Sequence, residues 1–361
     1  YPQLADASRA AMITYASGQW PVRETLAPFY NFATSDSVHI GLQREGDHAA
    51  TYAKTGDKMT LVRSNCLSNP DQLASCTNFL RRVYGDSLYR RGFRSFGFGD
   101  EMSLTDHEGR PIDFCFSPHC LKAFRRFAKS RYGTLERLNE TYESDFRSWD
   151  EVLPFTRDEV WKAGGRHVAG WSDHLEFMDD LVTNRLTAVI GVLRTMDPNL
   201  RFTLSGTQPP AAYSGMDWSK VMQCLTGTEG YSIGGQYDLH RSFCPQGRFS
   251  PWSTGYALRG NAAVSALWNS VFHGCHGTTA FWSRSQFAPD LTPSHCVTDV
   301  LPSLKRLAHG TGKYLMNCLV PDHSVAILYS QASFRGAFIE NRRKAQGIVR
   351  ERLAPKKGIS K

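Results

Sequence analysis

Short apolar runs alternate with longer amphipathic stretches along most of this chain, and that alternation restricts the fold more than any other feature. Residues 4–11 read as the end of a helix and 11–16 as a buried strand. A long polar and aromatic loop region is expected from Ser17 to about Ser68. Asn69-Pro70 then opens a helix through Val83, because proline suits a first helical turn. Phe93 to Phe98 forms a short strand ending in Gly99-Asp100-Glu101. The stretch 117–132 carries Leu121, Phe124, Phe127 and Ala128 at three- and four-residue spacing, a helical face. Another helix spans about 173–196, with Leu175, Met178, Leu181, Val182 and Leu186 on one side, and Asp197-Pro198-Asn199 closes it. Residues 201–205, 221–226, 249–251, 278–282 and 325–330 read as further strands, with helices at 237–243, 261–272 and 300–308. Strands that alternate with helices give a parallel β/α architecture. No internal repeat of fixed period is visible.

The chain has 361 residues and a formal charge of +8, enough length for a large α/β domain and part of another. The positive charge is local: from Arg335 to Lys361 there are nine Lys or Arg and two Glu, and the rest is nearly neutral. Such a tail reads as solvated and disordered, which argues against nucleic acid as a partner. No apolar run reaches the length of a membrane span, so no membrane partner is expected. The N-terminus lacks a signal-peptide layout, yet a signal already removed or lying upstream fits equally well. Localisation therefore stays open between cytoplasmic and secreted. The nine cysteines are scattered, as buried thiols are, with a metal site among them as the alternative.

In the (β/α)8 form of this architecture, active sites are built at the C-terminal ends of the strands. Asp100-Glu101 follows an aromatic strand directly, and a carboxyl group there can hold a proton for a leaving group. A surface or helix-capping acid is the plainer reading of the same position.

Residues 63–152 resemble the family 42 β-galactosidases in several linked segments. These are Arg63-Ser64-Asn65-Cys66-Leu67-Ser68-Asn69-Pro70, then Asp100-Glu101-Met102-Ser103, then Cys115-Phe116-Ser117-Pro118-His119-Cys120 leading into Ala123-Phe124. Arg131-Tyr132-Gly133-Thr134-Leu135-Glu136 and Trp149-Asp150-Glu151-Val152 follow in the family's order. Fainter likeness continues through Asp238-Leu239-His240-Arg241-Ser242, Phe281-Trp282-Ser283-Arg284 and Ala326-Ile327-Leu328-Tyr329. The resemblance implies an α/β protein with a (β/α)8 TIM-type barrel at 1–320 whose first two strands have no counterpart, as in a fragment of a longer chain. It also implies the start of a trimerisation-like α/β domain at 321–338, ahead of a basic tail at 339–361. The implied activity is hydrolysis of terminal β-galactosides or related β-glycosides, with carbohydrate as the partner and a homo-oligomer, a trimer, in the full-length protein. Glu101 would be the catalytic acid/base.

Two departures from the family pattern matter. The family's four-cysteine zinc site would use Cys66, Cys115 and Cys120, but its fourth ligand position holds Ser117. Either His119 or water completes a structural zinc site, or the site is lost and no cofactor is required. The family's nucleophilic Glu ends the seventh strand, whereas 247–256 here contains no acid. Glu229, after the sixth strand, is the nearest replacement; a loop acid or a sugar-hydroxyl ligand is the alternative.

Trp20, Trp252 and Trp282 fall at strand ends, where indole faces stack on sugar rings, although each alone reads as core packing. Arg63, Asp100 and Arg284 are the polar candidates for substrate binding, while His273 and His276 read as structural. Two rivals remain: a catalytically degenerate carbohydrate-binding barrel, and a metal-dependent hydrolase using Cys or His ligands.

Overall fold

The computed structural model describes residues 32–34, 47–85, 95–105, 111–230, 235–244, 252–255, 259–275, 277–280, 292–316 and 324–341, with isolated positions between. Its strands are β1 (Phe32–Thr34), β2 (Ser95–Asp100), β3 (Arg201–Thr207), β4 (Gly227–Gly230), β5 (Trp252–Gly255) and β6 (Gly277–Ala280). They form one six-stranded sheet in chain order, and every neighbouring pair is parallel. Helices fill the connections: α1 (Asp47–Thr55), α2 (Pro70–Gly85), α3 (Pro118–Tyr132), α4 (Leu135–Tyr142), α5 (Arg157–Lys162), α6 (Val168–Met196), α7 (Trp218–Cys224), α8 (Gln236–Phe243) and α9 (Gly260–Phe272). Sequential parallel strands with intervening helices are the barrel's connectivity, and they put every strand's C-terminal end on one side.

Local chemistry explains the best-formed elements. Ser117 caps α3 by accepting from the Cys120 N–H, Pro118 fills the first turn, and Gly133 ends the helix at φ 76°. Thr156 and Glu159 form a reciprocal capping box on α5. β3 is buried along nearly all its length, as a strand covered on both faces must be. Phe202 and Leu204 join the main core, and Phe202 stacks on Phe98 of β2 with centroids 6.1 Å apart. That core lies between the sheet and the helices α3 and α6, around Phe124, Phe177, Met178, Val182 and Leu186.

Three expectations are corrected. The region from Ser17 to Ser68 is not all loop, since β1 and α1 lie in it and β1 pairs with β2. The expected strand at 221–226 is mostly helix: Trp218, Val221 and Met222 are buried on α7, which Asp217 caps by accepting from the Ser219 N–H. The strand itself follows at Gly227. Residues 325–330 form no strand; Val325, Ile327 and Leu328 are 78%, 95% and 89% exposed, and no strand among the described residues pairs with their backbone. The expected strand at 11–16 and most of the basic tail lie outside the described residues.

Residues 331–341, where the basic stretch begins, are helical (α10) and rest on α6 and on the loop after β3. The Gln331 amide donates to the Ala211 carbonyl at 2.9 Å. Arg335 pairs with Asp179 of α6, both side chains being buried.

Candidate active site at the sheet's C-terminal edge

Glu101 is the first residue past β2 and is half-buried. Its φ of 49° puts a non-glycine residue in the left-handed region, a conformation that surrounding contacts must hold in place. Its N–H continues the sheet by donating to the Ser205 carbonyl at 3.1 Å. One carboxylate oxygen accepts from the Gln208 amide at 3.2 Å.

The loop beyond Glu101 is tied to the loop beyond β3. The Leu104 N–H donates to the Ser214 carbonyl at 2.9 Å, and the Thr105 hydroxyl donates to the Tyr213 carbonyl at 3.3 Å. Gly215 lets the two loops touch: a Cβ there would fall 2.5 Å from Leu104 Cδ1, and its φ is +75°. Behind them the buried Asp113 carboxylate accepts from Trp171 Nε1 and the Tyr213 hydroxyl at 2.9 Å each. It also accepts from the Arg157 N–H at 3.2 Å. Burial pushes this carboxyl up, and Arg157 works against that.

Arg63 is 1% exposed. Its guanidinium donates to the Leu104 carbonyl and lies 5.4 Å from the Phe114 ring centroid. Arg63 thus supports the loop that carries Glu101.

The three cysteines expected to converge do so. Cys66, Cys115 and Cys120 are buried, with sulfurs all within 4.8 Å of one another. Cys66 and Cys120 sulfurs are 3.5 Å apart. Hydrogen bonds from Cys115 and Cys120 hold the Cys66 thiol low, while Cys115, Cys66 and burial push Cys120 up. One thiolate shared by two thiols is the arrangement this describes. Ser117 Oγ sits 3.0 Å from Cys66 Sγ but is already the cap of α3. His119 is exposed and outside the cluster. The three sulfurs therefore lie beside a hydroxyl that already has another task.

Asp100 closes β2, Glu229 lies in β4 two strands further along, and Trp252 opens β5 in register with Glu229. Trp20, Trp282, Arg284 and His276 lie outside the described residues. His273 Nδ1 lies at hydrogen-bond distance, 2.8 Å, from an Asp238 carboxylate oxygen. Two residues escaped the sequence reading. Gln208 directly follows β3, and Gln236, which opens α8, is buried and bonded to the end of β3. The strand-end rule that selected Glu101 selects Gln208 as well; nothing in the local sequence marks Gln236.

A parallel β/α fold with a carboxylate set by its own loop network at the strands' C-terminal edge is the arrangement in which barrel enzymes place their active sites. The glycoside hydrolase family 42 model, described as beta-galactosidase, matches residues 102–240. Over those residues the chain is similar to that family, at a divergent level. It is 27% identical over 130 residues to beta-galactosidase LacZ of Heyndrickxia coagulans, a match covering 34% of this chain and 19% of that protein. With beta-galactosidase LacZ of Lactobacillus acidophilus it shares 32% over 98 residues, 25% of this chain and 15% of the relative. Among solved structures, the beta-galactosidase from the psychrophilic Marinomonas ef1 superposes with TM-score 0.59 at 17% identity, covering 78% of this chain and 50% of that one. An exo-carrageenase GH42 from Bacteroides ovatus gives 0.56 at 15%, covering 85% and 54%. At such identities the superpositions speak for the barrel fold. The matched region spans less than a fifth of the first curated relatives and about half of these solved chains.

Proposed function

We propose that this chain hydrolyses terminal β-galactosides or related β-glycosides with a pair of carboxylates. Glu101 gives its proton to the glycosidic oxygen and then takes one from water. The observation that carries this reading is the position of Glu101, turned out of β2 at φ 49° with an amide donor on its carboxylate. Backbone strain at a strand's C-terminal end is a mark of functional sites. The beta-galactosidase names of the curated relatives supply the substrate class.

Glu229 is the proposed nucleophile. It replaces the acid missing from β5, and its strand lies two places from β2. A retaining mechanism needs the two carboxyls about 5–5.5 Å apart and an inverting one about 6.5–9.5 Å. Asp100, Trp20, Trp252, Trp282 and Arg284 would shape the sugar subsite, and Arg63 would hold the loop around it. The cysteine triad requires no cofactor in this reading. Were zinc bound, Cys66, Cys115 and Cys120 would hold it in a structural role. Carbohydrate is the partner, and the trimer expected of the full-length protein belongs to the same proposal. No helix among the described residues is long and apolar enough to cross a membrane.

The departure at the nucleophile supports a second reading, a barrel that binds sugar without turning it over. The test is hydrolysis of a panel of nitrophenyl glycosides by the wild type, Glu101→Gln and Glu229→Gln. Activity on a β-galactoside that Glu229→Gln abolishes and Glu101→Gln lowers is the expected result. A folded wild type inactive on every sugar favours the binding-only barrel.

A further inference from the structure

Gln208 has an amide whose orientation is fixed by its partners. Its Nε2 lies 3.2 Å from Glu101 Oε1 and 3.3 Å from the Gly206 carbonyl oxygen. A carbonyl only accepts, so the group facing it and Glu101 is the NH2 end. Gln208 therefore presents a donor to the carboxylate.

Gln208 is itself held. The Gln236 side chain is 2% exposed, and its Nε2 reaches the Thr207 carbonyl at 2.8 Å, the Thr207 hydroxyl at 3.1 Å and the Gln208 carbonyl at 3.1 Å. Two of these three partners are backbone carbonyls, so this amide also has one orientation. The Tyr237 hydroxyl, next in the chain, donates to the Gly230 carbonyl at 2.9 Å. A Cβ on Gly230 would lie 3.0 Å from Thr207 Oγ1 and 3.2 Å from Gln236 Oε1. The start of α8 thus joins the ends of β3 and β4, and through Gln208 it reaches the end of β2.

We propose that Gln208 is a positioning residue for Glu101 and that Gln236 fixes Gln208 for that task. Gln208 selects one carboxylate orientation. The proposal rests on the reading of Glu101 as acid/base.

The test follows the Glu101 carboxyl carbon by NMR against pH in glutamate-labelled full chain, the signal being assigned by its loss in Glu101→Gln. Gln208→Met keeps the length and removes the donor. The midpoint is expected to move up by about one pH unit, the size expected when a charge-assisted hydrogen bond is lost. Gln236→Met is expected to move it the same way by less. In an active enzyme the alkaline limb of kcat/KM follows, with KM nearly unchanged. An unmoved midpoint in folded Gln208→Met overturns the proposal, and that variant decides alone if Gln236→Met does not fold. An unchanged midpoint thus overturns the positioning role, whereas full activity in Glu101→Gln overturns the acid/base reading; the two failures are separate results.

Discussion

The ring of Phe338 stands edge-on to that of Tyr213, centroids 5.0 Å apart. Tyr213 lies in the loop after β3 and Phe338 in α10, so a segment far along the chain braces the loop opposite Glu101. Trp161 and Trp171 stack on the same Phe338 ring at 6.1 and 6.2 Å. The Arg335–Asp179 pair is buried beneath this contact. Burial pushes Asp179 up to about 7 while Arg335 draws it down. Arg335→Met leaves a buried carboxylate without its cation and is expected to lower stability by about 3 kcal/mol. Arg335→Met with Asp179→Leu should recover much of that. Urea unfolding of the two variants measures it, and equal losses would show that the pair is not coupled.

Acid should destabilise the fold through two buried histidines. His174 packs against Phe116 and Phe124 with ring centroids at 5.2 and 5.8 Å, and neither ring nitrogen has a partner among the described residues. Burial holds it down to about 3, and it holds His240 of α8 there too. A depressed native value means that the unfolded chain binds the proton first. Stability is therefore complete above pH 6.5 and falls as the pH drops towards 3, by on the order of 5 kcal/mol per site at the limit. His174→Phe should flatten this slope between pH 6.5 and 4, as read from melting temperature against pH. An unchanged slope would place the acid sensitivity elsewhere.

Gly215→Ala should separate the two loops that frame the site. The new methyl would fall 2.5 Å from Leu104 Cδ1 and 2.9 Å from Val182 Cγ2, at φ +75°. Overpacking and left-handed strain together are expected to cost about 2–4 kcal/mol. Gly164→Ala provides the contrast, with φ +67° and nothing within 4 Å of its Cβ; it should cost about 1 kcal/mol. Similar losses from the two would mean that packing against Leu104 is unimportant.

The cysteine triad should tolerate metal removal. Structural zinc takes four ligands almost always, and Ser117 gives its oxygen to the cap of α3. Treatment with a chelator is expected to leave the melting temperature unchanged. Ser117→Cys supplies a fourth thiol and should bind one zinc that survives dialysis, at a cost to the α3 cap of about 1 kcal/mol. A wild type that melts many degrees lower after chelation would contradict this.

The sequence shows best where one signal dominates. α2 begins at the expected proline, and α3 and α6 follow their apolar faces. β2 carries Glu101 at its end as the strand-end rule demands. The apolar run at 221–226 misleads because Trp218, Val221 and Met222 have helical spacing that a short window reads as a strand. Val325 to Leu328 misleads differently, since apolar composition suggests a strand where these side chains are exposed. Gln208 and Gln236 stay hidden because their roles come from contacts between residues 28 positions apart or more. The cysteine triad was legible only through family resemblance, and its geometry adds that Ser117 is already engaged.

The central claim is that Glu101 donates the proton to the leaving group. The measurement is kcat/KM of Glu101→Ala and wild type on a dinitrophenyl and an alkyl β-galactoside. The dinitrophenyl group leaves without a proton and the alkyl group cannot. The expected result is a loss of about 100-fold or more on the alkyl substrate, the lower end of what a general acid contributes, with a far smaller loss on the dinitrophenyl one. Equal losses on both would contradict it and make Glu101 a binding or structural residue.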